Sequence, residues 1–336
     1  MATYKNINGT NIPIRASDPS NPILGEIWYN STSNTLKGQG YAAAVWSTSG
    51  NFNTTADGRS GAGTQTAGLV FLGRVAPYPL GGPETTNNEQ YDGTSWTEVN
   101  NLSTRRTGAF GGGTQTAAVA AGGYTGSPSV SIDTTENYDG TNWTTGGSLN
   151  TGRAYSYVMV GTQGAGMISG GYRQQTGSGI NSTELYDGSA WTTANAFSTS
   201  NAYARAMFGA AQTAAIATTG YTYPGPGVLA TTESWDGTCW TGTTIYPLSS
   251  SSVSGFGTQT SGLVAGGGGV DVNNWDGTSW TADTSLPATR ESSAVGTFGT
   301  SSAGFITGGN VGGTPYSKNT LNWNGAGPAT VTISSS

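Results

Sequence analysis

RTGAFGGGTQTAAVAAGGYTGSPSVSIDTTENYDGTNWTTGGSLNTGR, residues 106–153, is one unit of a repeat bounded by two arginines. Its hexapeptide YDGTNW (138–143) has sisters in YDGTSW (91–96), YDGSAW (186–191), WDGTCW (235–240) and WDGTSW (275–280), and the opening returns in WNGAGP (323–328). The Asp or Asn positions stand 47, 48, 49, 40 and 48 residues apart, so the chain is an array of units of about 50 residues. Trp46, Trp96, Trp143, Trp191, Trp240 and Trp280 are each followed six positions on by Phe52, Leu102, Leu149, Phe197, Tyr246 and Leu286. A bulky pair at constant spacing implies one packing role repeated in every unit.

Each unit holds four strand candidates. The first ends at a Gly-Thr-Gln-Thr turn, present as GTQT at 63–66, 113–116 and 257–260, with relatives at Gly161 to Gln163, Ala211 to Thr213 and Gly299 to Ser302. The second is a short apolar run, such as AAVAAGG (117–123) or AGMISGG (165–171). Gly73, Gly123, Gly171, Gly220, Gly267 and Gly309 fall eight residues after the Gln or Ser of the turn. Glycine weakens a strand, so its recurrence predicts positive φ or a close backbone approach. The third strand carries Glu89, Glu136, Glu184 or Glu233, and the Asp-Gly that follows is a strong hairpin signal leading into the Trp strand. Short, evenly spaced strands without helical periodicity predict an all-β chain, and four strands per unit of this length suit a propeller blade.

The order Arg, turn, Gly-Gly, E-x-Tyr-Asp, Trp, Leu, Arg resembles the kelch repeat over about residues 46 to 328. The resemblance implies a six-bladed kelch-like β-propeller. Departures exist: the Gly pair is single in the first and fourth units, Glu is replaced in the fifth and sixth, and no arginine lies between Tyr246 and Phe256. The sixth unit has no Trp after WNGAGP, while Trp46 precedes the first complete unit. Val45 to Ser49 is therefore expected to complete the last blade and close the ring; ATVTIS (329–334) competes for that place. The expected division is an N-terminal extended and hairpin segment, 1–44, and a propeller, 45–336. A buried indole contributes roughly 4–6 kcal/mol as an upper bound, so each interface needs one.

Within the first segment, GEIWYN and NTLKG flank turn residues Ser31 to Ser33. SDPSNPILGEIWYNSTSNTLKG resembles segments at the start of structural proteins of marine tailed bacteriophages. That resemblance implies a virion component made in the host cytoplasm, held to other virion proteins through residues 1–44 and present in many copies per particle. A strap along the propeller's side is the plainer reading of the same residues.

Charge and composition exclude several functions. A net charge of −6 and a pI near 4.6 oppose binding to a phosphate backbone, so no nucleic-acid partner is expected. No apolar run reaches the roughly 20 residues that cross a bilayer, and the opening residues lack a signal-peptide pattern, so neither membrane insertion nor cleaved export is expected. Cys239 is the single cysteine and forms no intrachain disulfide. The chain contains no His, which removes the usual general base and most transition-metal sites, and no cofactor or metal is expected. Some kelch-like propellers are copper oxidases, but that chemistry uses histidine. DGTSW looks like the Asp-box of sialidases yet is one residue tighter between Asp and Gly.

The recurrent acids and arginines have structural and chemical readings alike. Asp92, Asp139, Asp187, Asp236 and Asp276 suit turn formation, with calcium binding or catalysis as the alternative. The glutamates suit pairing with backbone or with Arg59, Arg106, Arg153, Arg205 and Arg290, which otherwise would form an anion-binding ring. Recognition is expected where units disagree, in the second-to-third connections. Tyr78, Tyr124, Tyr172, Arg173, Tyr221, Tyr223 and Tyr316 lie in or beside them. Tyrosine offers apolar area with a hydrogen-bonding tip, suited to a host-surface glycan or protein. Two functions remain: a non-enzymatic virion protein presenting the propeller as a fibre, decoration or adhesion module, and a carbohydrate-active propeller enzyme using paired carboxylates.

Overall fold

The computed structural model describes residues 12–75, 82–126, 129–199, 202–203, 206–225, 227–291, 295–296, 299–311 and 317–333. It divides into two compact units, Met1–Val45 with Gly325–Ser336, and Trp46–Asn324. Among the described residues no helix is long and apolar enough to cross a membrane.

The larger unit is all-β and propeller-like. Its second sheet follows the predicted order: Phe110–Thr114, Ala117–Ala121, Thr135–Tyr138 and Trp143–Thr145 pair in sequence as an antiparallel meander. Corresponding sheets begin at Ser60–Thr64, Val160–Thr162, Ala206–Ala211, Val253–Thr258 and Gly299–Thr300. These first strands touch one another in cyclic order, Gly299–Thr300 meeting Ser60–Thr64. The sixth sheet takes its fourth strand from Val45–Ser49, as the missing tryptophan predicted. The competing segment goes elsewhere: Gly327–Thr332 pairs with Thr35–Ala42 in the smaller unit. The compact unit thus ends at Asn324 where the sequence reading ran the propeller to 336, because the last strand finds its ladder in the N-terminal segment.

The repeated hexapeptide is a hairpin that lays two aromatic rings together. Tyr91 pairs in register with Trp96, Tyr138 with Trp143, Tyr186 with Trp191, Trp235 with Trp240 and Trp275 with Trp280. Ring centroids lie 4.7, 4.9, 4.6, 5.4 and 5.0 Å apart in that order. In three units the apolar residue six positions beyond one Trp contacts the next: Phe52 on Trp96 at 4.4 Å, Phe197 on Trp240 at 4.5 Å, Tyr246 on Trp280 at 4.9 Å. Three indoles donate across the seam to a threonine on the preceding sheet, Trp96 to Thr320, Trp191 to Thr135 and Trp240 to Thr183, at 2.9–3.0 Å.

The turn glutamine does more than turn. Gln115 Nε2 donates to the carbonyls of Gly68 and Tyr91 on the sheet before it, Gln163 to Ala118 and Tyr138, Gln212 to Gly166 and Tyr186, and Gln259 to Trp235. Gln65 in the first sheet reaches Gly304 and Trp323 in the sixth. In the sixth unit Ser301 stands in place of glutamine and meets the Ser261 hydroxyl of the fifth at 2.7 Å. Each glutamine satisfies backbone carbonyls of the neighbouring sheet.

All six predicted glycines at the ends of the second strands have positive φ, from +80° to +114°. At two of them the absent side chain also makes room for the neighbouring arginine: a Cβ on Gly73 would sit 2.7 Å from Arg59 Cγ, and one on Gly123 3.0 Å from Arg106 Cδ. Arg59, Arg106 and Arg153 are 0–1% exposed and pair with Glu89, Glu136 and Glu184 at 3.0, 2.9 and 2.6 Å. The same carboxylates accept the backbone N–H of Asn53, Ser103 and Asn150 at 2.7–2.8 Å, and Glu233 accepts that of Ser198. Both structural readings of the glutamates therefore hold together, and these three arginines are buried against carboxylates rather than displayed to an anion. Arg205 lies outside the described residues.

In the smaller unit, Ile27–Asn30 and Thr35–Ala42 form the predicted hairpin, flanked by Ile14–Arg15 in parallel and by Gly327–Thr332. Trp28 is fully buried and donates to Asp18 at 2.9 Å, an acceptor shared with Asn30.

Removing one partner of a buried ion pair costs about 3–5 kcal/mol, whereas apolar replacement of both is tolerated. Glu184→Leu is thus expected to lower unfolding free energy by about that amount, and Arg153→Met/Glu184→Leu to recover at least half of it. Denaturant unfolding followed by tryptophan fluorescence checks this; equal losses in the single and double variants would refute the pairing.

Candidate functional site

The second-to-third connections gather tyrosines from adjacent units. Tyr124 begins the short strand Tyr124–Gly126, and Tyr172–Arg173 and Tyr221–Thr222 occupy the same step after their glycines. Backbone bonds seat the first two against the linker of the same unit: Tyr124 exchanges both bonds with Thr107, and Tyr172 both with Ala154. Tyr221–Thr222 pairs with Ala202–Tyr203.

The rings of Tyr124 and Tyr172 converge on a residue the sequence reading did not single out. Tyr155 lies 5.9 Å from Tyr124, 6.4 Å from Tyr172 and 6.4 Å from Tyr157, and Tyr223 stands edge-on to Tyr172 at 5.7 Å. Tyr223 is 45% exposed, Arg173 is exposed, and Tyr124, Tyr155, Tyr157, Tyr172 and Tyr221 are half-buried. Tyr124, Tyr172 and Tyr223 are thereby brought into one aromatic surface, with Arg173 next in sequence to Tyr172. Tyr78 and Tyr316 lie outside the described residues.

The signal that was available is Tyr-Ser-Tyr at 155–157, where the preceding unit has Gly-Ala-Phe at 108–110. Tyr155 adopts φ +63°, as Gly108 does, and Tyr157 adopts φ +62°. The Tyr155 N–H bonds Gly108 O at 2.7 Å and the Gly108 N–H bonds Gly58 O at 3.0 Å, so the three residues share one ladder. Non-glycine residues held in the left-handed region cost roughly 1–2 kcal/mol each and concentrate where function holds them. Two of them flank Ser156 beside the tyrosines of the loops, which marks this face as the candidate site.

Electrostatics at the rim are mixed. Arg74 and Asp57 pair at 3.2 Å, and a Cβ on Gly126 would meet Glu84 at 2.7 Å. Burial, helped by Tyr124, pushes the Tyr155 hydroxyl well above the ordinary phenol range, and Arg74 opposes that rise. The site therefore offers neutral aromatic faces ringed by charge, which suits recognition of a polar ligand through stacking and hydrogen bonds.

The acids that recur once per unit are occupied. Asp92 accepts the backbone N–H groups of Ser95 and Thr94 at 2.8 Å, which hold its carboxyl below the usual carboxylate range, and Asp139, Asp187, Asp236 and Asp276 repeat the arrangement. This is the turn role. Cys239 sits exposed inside one such turn, its N–H donating to Asp236.

No protein-family model and no curated protein matches the chain. Among solved structures, "Structure of YjhT" is similar with a TM-score of 0.68 at 13% identity, covering 83% of this chain and 99% of that one. At that identity the likeness shows a propeller-like all-β fold.

Burial pushes the Tyr246 hydroxyl up to about 12 and Tyr155 higher than ordinary as well. Their folded values exceed the unfolded value of about 10, so the fold favours the neutral form and that stability is lost as pH rises from about 10 through the folded values. Thermal melting is expected to fall across this alkaline window in the wild type, and less steeply in Tyr155→Phe/Tyr246→Phe. Parallel pH profiles for the two proteins would contradict the assignment.

Proposed function

We propose that residues 46–324 form a closed six-bladed kelch-like propeller, and that the protein is a non-enzymatic structural component of a tailed-phage virion that presents this ring for adhesion. The seam bonds running from Gln115 back to the first sheet and from Gln65 back to the sixth support closure. A ring with every sheet sandwiched leaves recognition to its loops, and the tyrosine surface around Tyr155 is the observation that carries the binding reading.

Attachment is assigned to residues 1–44. Their resemblance to phage structural proteins supports this, and so does exposed apolar surface: Ile14 is 75% and Ile23 72% exposed, with Leu24 and Tyr41 also open. Exposed apolar residues gathered in a small unit suit a protein contact. Many copies on one particle raise avidity without strong single contacts, so a modest glycan or protein ligand per ring suffices for adhesion. The recurrent acids, each bonded within its own unit, leave the paired-carboxylate enzyme without a favouring observation.

Binding of particles or of the multimerised protein to host cells tests the ligand face. Tyr172→Ala/Tyr223→Ala is expected to weaken binding at least tenfold while leaving the circular-dichroism spectrum unchanged, since exposed aromatic anchors carry a few kcal/mol, about tenfold per 1.4 kcal/mol. Unaltered adhesion by the double variant would overturn the tyrosine face. Incorporation tests the anchor: Ile14→Asp/Ile23→Asp is expected to yield folded protein missing from purified particles, and normal incorporation would refute it.

A further inference from the structure

In four units the inner corner is closed by a glutamate that accepts the N–H of the residue after the recurrent apolar position: Asn53, Ser103, Asn150 and Ser198. In the fifth and sixth units that residue is Pro247 or Pro287, which has no N–H to give. The register position of the glutamate is correspondingly Asn273, opposite Val264, and Leu321, opposite Ile306. Donor and acceptor have been lost together. The fifth unit has lost the arginine too, and Asn273 bonds the Tyr246 hydroxyl at 3.0 Å instead. The sixth keeps Arg290.

Arg290 is 2% exposed. Its Nη1 donates to Gly308 O at 2.7 Å and Asn319 O at 3.2 Å, while Nε is buried with no partner and, among the described residues, Nη2 bonds none. All eighteen acidic side chains of the protein lie in the described residues, and none of them forms an ion pair with Arg290. Burial alone pushes its guanidinium down to about 10, with no carboxylate to raise it again. A buried charge without a counter-charge is costly.

Beside it lies a cavity of about 150 Å³ lined, among the described residues, by Gly268, Thr289, Arg290, Glu291 and Asn310. Asn310 holds the step after the glycines where other units place Arg74, Tyr124, Tyr172 or Tyr221, and the neighbouring fifth unit places Gly268 there. The Asn310 Oδ1 atom is buried without a partner, and that amide can turn over to offer its N–H₂ instead.

We propose that this cavity binds a small monoanionic carboxylate, which gives Arg290 the counter-charge that Glu89, Glu136 and Glu184 give the arginines of the first three units. Nη2, which bonds none of the described residues, is the donor left for a carboxylate, and a charge-assisted bond of that kind is stronger than one between neutral groups. Glu291 on the cavity wall repels a second negative charge, which selects a carboxylate over sulfate or phosphate dianions. The site goes beyond the adhesion reading and rests on neither the tyrosine face nor the virion assignment.

Sodium acetate is the probe, titrated against sodium chloride and sodium sulfate at equal ionic strength at neutral pH, with binding read by saturation-transfer NMR and stability by thermal melting. The full-length wild type is expected to show saturable acetate binding and a melting temperature that rises with acetate more than with either control salt. Arg290→Met should weaken acetate binding at least about tenfold. Leu321→Glu supplies the carboxylate from within the chain, and should melt higher than wild type without acetate and lose the acetate response. Absence of saturable binding to the wild type, retained binding by folded Arg290→Met, or tighter binding of sulfate overturns the proposal. If Arg290→Met does not fold, Leu321→Glu decides alone: an undiminished acetate response in it is equally fatal.

Discussion

An indole laid across the seam between two sheets is the contact on which this structure depends. A four-stranded meander has two faces, and neither is buried until another sheet covers it. Trp96, Trp191 and Trp240 each fill such a seam with under a tenth of their surface exposed, and each brings an N–H that needs an acceptor in a dry place. The threonines Thr320, Thr135 and Thr183 provide it from the preceding sheet. The seam is therefore apolar in area and polar at one atom.

Around each seam the repeat motif resolves into linked physical requirements. The Asp-Gly turn exists to bring Tyr or Trp opposite the seam tryptophan, and the glutamine exists to tie its own hairpin to the carbonyls of the sheet before it. Positive φ at Gly73 or Gly123 opens room for a buried arginine, and the arginine requires the glutamate that gathers backbone N–H groups from the linker. Losing one member shifts the demand onto the others. The fifth unit answers with Asn273 and Tyr246, and the sixth leaves Arg290 facing a cavity. The strained pair Tyr155 and Tyr157 is a further departure from the repeat.

Much of this was legible beforehand. Strand order, the glycines with positive φ, the Asp turns and the use of Val45–Ser49 to finish the sixth sheet all follow from spacing, because turn chemistry and backbone conformation are local. Of the site, Tyr124, Tyr172 and Tyr223 were legible as residues in variable loops. Tyr155 at their centre was not, since nothing in the linker between units announces that its ring turns toward loops some 17–31 residues away in sequence. The role of Gln115 was hidden for the same reason: its acceptors Gly68 and Tyr91 belong to another unit.

The sequence by itself determined what recurs, namely four strands per unit, the residues that turn them, and the apolar pair that packs them, because each depends on neighbours along the chain and on a count. Tertiary structure alone decided where the last strand goes. Gly327–Thr332 has the alternation of any edge strand, and only the open ladder of Thr35–Ala42 selects it, a choice between hydrogen-bonding partners that no local preference contains. It also decided which charges are neutralised. Arg153 and Arg290 are the same letter in the same motif, yet one meets a carboxylate at 2.6 Å and the other meets none, since pairing is a property of the space around a guanidinium and not of the residue that carries it.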